Sequence, residues 1–96
     1  MLIITSGFVA GPGAPHPAID PALVTDILWA FSPLSDGLEH IRSRGTAGRV
    51  DLVFFYLAGD TQKAVSDKAR ALCLTALSRS PLLQGWHLMG EEDGPP

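Results

Sequence analysis

The chain lacks asparagine altogether, carries only Lys63 and Lys68 as lysines, and has a single cysteine, Cys73. One thiol cannot close an intrachain disulfide. Cys73 falls in the apolar stripe of a predicted helix, where a free cysteine behaves as a small hydrophobe. A nucleophilic thiol needs a neighbouring base and an exposed, electropositive setting, and the adjacent sequence does not supply them. No lysine- or arginine-rich run occurs, and the net charge is −3 with a pI near 5.4. Nucleic-acid binding, which exchanges a basic stripe for condensed counterions, is therefore disfavoured. No apolar run approaches the ~20 residues that cross a bilayer, and the N-terminus lacks the basic, apolar and small-residue segments of a secretory signal. The expectation is a cytoplasmic protein. Little lysine beside much alanine, glycine and proline suggests a high-GC bacterial source.

Charge is also scarce, at 18% of residues against 46% hydrophobic; globular domains usually carry about 25% charged residues. A chain of 96 residues has a large surface relative to its core. Apolar surface beyond that core needs a cover, and a second subunit or a ligand is the usual one.

The periodicity predicts one domain over residues 1–90 and a polar, mobile tail over 91–96. Leu2 to Val9 is β-branched and apolar, a buried strand. Gly11 to Pro17 is a loop by its prolines and glycines. Asp20-Pro21 starts a helix, since the carboxylate can accept free backbone N–H groups and proline loses nothing at the first helical position. Leu23, Ile27 and Ala30 keep helical spacing until Pro33. Leu38 to Arg44 and Val50 to Leu57 read as strands joined by a turn over Gly45 to Gly48. Gly59-Asp60-Thr61 caps a second helix with Val65, Ala69, Leu72 and Ala76 on one stripe. Pro81 stops it, and a short strand lies within Leu82 to Met89.

The order β-α-β-β-α-β predicts an α+β fold of the split βαβ type, a four-stranded antiparallel sheet with both helices on one face. Centring the hairpin on Thr46-Ala47 sets Arg42 opposite Asp51, Ile41 opposite Leu52 and His40 opposite Val53. Alternation then divides the strands. Ile41, Val50, Leu52, Phe54 and Tyr56 face the helices. Leu38, His40, Arg42, Asp51, Val53, Phe55 and Leu57 face outward, joined by His87 and Met89 of the last strand. Polar groups avoid a helix-covered core unless paired, which decides the direction.

On this element order and face polarity the chain resembles the ferredoxin-like dimeric α+β barrel proteins, whose sheets pack against each other. The resemblance implies a homodimer. It allows several roles, because relatives include small monooxygenases, cyclases, isomerases and non-catalytic accessory proteins.

The chemistry-bearing residues are few. His40 and His87 share the outer face but lie three strand spacings apart, roughly 14 Å, too far for one metal within a subunit. His16, in a Pro-His-Pro loop, and His87 are the candidate acid/base groups. Gly7, Gly11 and Gly13 match neither the Walker nor the dinucleotide spacing, and the arginine that acylphosphatases place in this loop is missing. No metal or cofactor is expected. The leading expectation is a small homodimeric binding or accessory protein whose open sheet face, Leu38, His40, Val53, Phe55, Leu57, His87 and Met89, takes a second subunit, an apolar ligand or a protein partner. The alternatives are a small dimeric-barrel enzyme acting on an apolar metabolite through His16 or His87, and a regulatory module that recruits a different protein.

Overall fold

A computed structural model describes residues 1–33 and 37–89; the predicted tail lies outside the described residues. The elements are β1 (Leu2–Ala10), α1 (Pro21–Phe31), β2 (Leu38–Thr46), β3 (Arg49–Tyr56), α2 (Gln62–Arg79) and β4 (Trp86–Leu88), with a 3-10 turn at Pro81–Leu83 before the last strand. The protein is α+β, with one four-stranded sheet in the order β2-β3-β1-β4, antiparallel at every pairing.

Both helices begin where side chains can satisfy free backbone donors. The Asp20 carboxylate accepts from Ala22 N–H at 2.9 Å, ahead of Pro21. The Thr61 hydroxyl accepts from Ala64 N–H at 3.1 Å. Val24 and Leu28 of α1 and Val65, Ala69, Leu72, Cys73 and Ala76 of α2 are buried in one cluster with Ile4, Phe8, Ile41, Val50, Leu52, Phe54, Tyr56, Trp86 and Leu88 of the four strands. Each large side chain among these contributes about 1.5–3 kcal/mol by leaving water.

Two inward hydroxyls are accommodated by hydrogen bonding. Ser43 of β2 donates to the Pro21 carbonyl at 3.0 Å and accepts from the Thr25 hydroxyl at 2.9 Å, which fixes the first turn of α1 to the sheet edge. Ser6 of β1 shares a hydrogen bond with the buried thiol of Cys73.

The hairpin register differs from the expected one by two residues. Arg42 is opposite Val53, Arg44 opposite Asp51, and Thr46 opposite Arg49. The loop is therefore Ala47-Gly48, and the reason is backbone conformation. Gly48, the second loop residue, has φ +69°, a left-handed conformation that glycine reaches freely, while Ala47 before it keeps a negative φ. An even slip leaves every residue on its expected face. It does change partners, so the expected Arg42–Asp51 pair does not form; Asp51 is bound by Arg49, Nε to Oδ1 at 2.9 Å.

Leu38 is a second correction. A bulge between Leu38 and His40 sets Leu38 opposite Tyr56. The extra residue reverses the alternation, and Leu38 packs against the core rather than on the outer face.

Candidate outer-face site

The outer face of the sheet consists of successive cross-strand rows. Phe55 of β3 lies between His40 of β2 and Ile3 of β1; Val53 lies between Arg42 and Thr5; Asp51 lies between Arg44 and Gly7; Arg49 lies between Thr46 and Val9. At the far edge His87 of β4 is opposite Val9, and the Met89 N–H donates to the Gly7 carbonyl at 2.7 Å.

One end of this face is apolar. Ile3 is 52% exposed and Leu57 60% exposed, beside half-buried Phe55 and Val53. The His40 and Phe55 rings meet at a centroid distance of 5.6 Å. The hairpin end is cationic: Arg42, Arg44 and Arg49 surround the single carboxylate of Asp51.

Between the two ends the surface is concave. A depression of about 450 Å³ lies between β1 and β3, lined by Thr5, Ser6, Arg49, Asp51, Leu52, Val53 and Met89. A second, of about 550 Å³, lies beside Arg42 and Arg44 and shares Asp51 and Val53 with the first. Gly7, opposite Asp51, is buried beneath the Met89 side chain, which leaves no room for a side chain of its own. A Cβ there would stand 2.5 Å from the Met89 Cε and 2.9 Å from the Val50 carbonyl oxygen.

Of the candidate face residues, His40, Val53, Phe55, His87 and Met89 come together on this surface, and Leu57 extends it where β3 ends. Leu38 does not belong to it. The β1 contribution, Ile3, Thr5, Gly7 and Val9, escaped sequence reasoning because β1 is apolar on both sides; only its pairing with β3 sorts it. The arginines match no binding motif in the sequence; the strand pairing is what gathers them around Asp51.

The candidate acid/base groups do not converge on a cavity. His16 is exposed, and its backbone carbonyl is the part held, accepting the Trp86 indole N–H at 2.9 Å. His87 lies over the loop start, where a Cβ on Gly11 would be 2.9 Å from its Nε2. Trp29 is 40% exposed and Tyr56 is buried, stacked against Phe54. The groove beside Phe31 is lined by Pro33, Lys68, Ala71, Leu72 and Thr75. The space between helices and sheet is filled by Phe8, Leu28, Leu52, Phe54 and Leu83, each almost fully buried. Burial pushes the Cys73 thiol up to about 12, far from any reactive range. Among the described residues no three His, Cys, Asp or Glu side chains cluster as a metal would require, and no helix is long and apolar enough to cross a membrane.

No protein family, curated protein or solved structure matches this chain.

Proposed function

We propose that this is a small cytoplasmic binding or accessory protein of ferredoxin-like architecture that self-associates through its open sheet face. The strand order supports the architecture, since β2-β3-β1-β4 read from the opposite edge is 4-1-3-2. One observation carries the functional reading. Ile3 and Leu57 are more than half exposed on a sheet face whose neighbours, Phe55 and Val53, are apolar as well.

The occupant of that face is a second copy of the chain, and magnitude sets how tightly it binds. Four strands at ~4.8 Å spacing and eight residues at ~3.3 Å rise give a face of roughly 500 Å². Stable complexes bury about 800 Å² per partner. The apolar contribution, at ~25 cal/mol per Å², must first offset the lost freedom of two bodies. The dimer is accordingly a concentration-dependent one. Light scattering of the full chain from about 1 μM to about 1 mM tests this. Mass rising from one chain toward two, and Phe55→Glu remaining a folded single chain throughout, is the expected result. A single-chain mass for the unsubstituted protein across the whole range excludes self-association.

A further inference from the structure

We infer that the hairpin end of the outer face is a binding site for a small amphipathic organic anion, a carboxylate or phosphate carried on an apolar body. The inference rests on reading the outer face as a binding surface, and it adds the ligand class.

The charge balance is the first argument. The whole chain is acidic at −3, yet this patch gathers Arg42, Arg44 and Arg49 around one carboxylate. Asp51 engages Arg49 at 2.9 Å. Among the described residues neither Arg42 nor Arg44 has a hydrogen-bonded or ion-paired partner. Both project from the outer face of β2, two residues apart, so their guanidinium groups can converge on one anion. Arginine presents paired N–H donors in a fork that matches a carboxylate or phosphate.

Shape is the second. Two depressions flank β3 on this face, one toward β1 and one beside Arg42 and Arg44, with Asp51 and Val53 lining both. Their volumes, about 450 and 550 Å³, fall in the range of small-molecule sites.

The third is the apolar lead-out. Val53 is opposite Arg42, and Phe55 follows two residues on along the same face, roughly 7 Å away. A short acyl chain anchored at Arg42 and Arg44 spans that distance over Val53 to Phe55. An inorganic ion would leave this contact unused.

The test is an amide chemical-shift titration of the full chain with hexanoate, run beside hexanamide and inorganic phosphate, with light scattering on the same samples. Saturable shifts at Arg42, Arg44, Asp51, Val53 and Phe55 with hexanoate are expected, weakened about tenfold or more in R42Q and R44Q and unchanged in the exposed-helix control R79Q. Hexanamide should not saturate, and phosphate should bind more weakly than hexanoate. Absence of saturable hexanoate shifts overturns the site. So does an equal response to hexanamide, phosphate binding as tight as hexanoate, or binding that emerges only when residues 91–96 are removed, which would assign the arginines to the chain's own acidic tail. A single-chain mass with hexanoate binding intact counts against the dimer alone. Dimerisation without hexanoate shifts counts against the site alone.

Discussion

The indole N–H of Trp86 donates to the backbone carbonyl of His16 at 2.9 Å, joining β4 to the loop that leaves β1. Gly11 N–H reinforces the junction by donating to the Gly85 carbonyl at 2.8 Å. Trp86→Phe removes the indole donor and should destabilise the fold by about 1–2 kcal/mol. Urea unfolding measures the loss, and faster amide exchange over residues 11–17 should accompany it. Unchanged exchange there would show that the loop is held by other contacts.

Adjacent phenylalanines on β3 should behave oppositely. Phe54 is fully buried in the core and Phe55 lies on the outer face. Phe54→Ala should lower stability by about 3–5 kcal/mol. Phe55→Ala, measured on the single chain at low concentration, should cost no more than about 1 kcal/mol. Equal losses would contradict the face assignment.

Two hairpin glycines separate packing from backbone conformation. A Cβ on Gly45 would stand 2.5 Å from the Pro21 Cγ, so Gly45→Ala must push back the start of α1, at about 1–3 kcal/mol. Around Gly48 the space is open, but its φ of +69° is unfavourable for alanine, and Gly48→Ala should cost about 1 kcal/mol. Amide shifts along α1 should move in the first variant and stay in place in the second.

Cys73 should resist thiol reagents in the native protein and react only on unfolding. Its folded value is raised from 9.0 to about 12 by burial, partly countered by the Ser6 hydrogen bond. Below pH 9 the thiol is protonated in both states and contributes no pH dependence. Above it the unfolded chain loses the proton first, so stability falls as pH rises from about 9 to 12, with a limiting slope near 1.4 kcal/mol per pH unit. Cys73→Ala should lack this component, which comparing alkaline unfolding curves of the two proteins will detect.

The element order was legible in the sequence because each boundary has a local chemical cause: Asp20-Pro21, Thr61, Pro33 and Pro81 act on their own neighbours. The faces of β3 were legible too, since Val50, Leu52, Phe54 and Tyr56 alternate with Asp51 and Arg49. What required coordinates was pairing. Choosing Ala47-Gly48 over Thr46-Ala47 depends on the turn's twist, and the bulge at Leu38 has no side-chain signature. For the candidate site, the arginines were visible individually. Their concave setting depends on β1 and β2 flanking Asp51 and Val53 of β3, and the β1 pairing joins residues far apart in sequence.

The sheet order has a consequence for how the chain folds. Only β2 and β3 are near in sequence; β1 pairs with β3 through contacts such as Leu2 with Tyr56, and with β4 through Phe8 with Leu88. The first of these four strands to be synthesised is thus the last to be completed on both edges. Loop closure must precede those contacts, which makes assembly of the centre of the sheet the slow step. Until then the Leu-Ile-Ile segment of β1 is an unpaired apolar strand, the part of the nascent chain most exposed to aggregation.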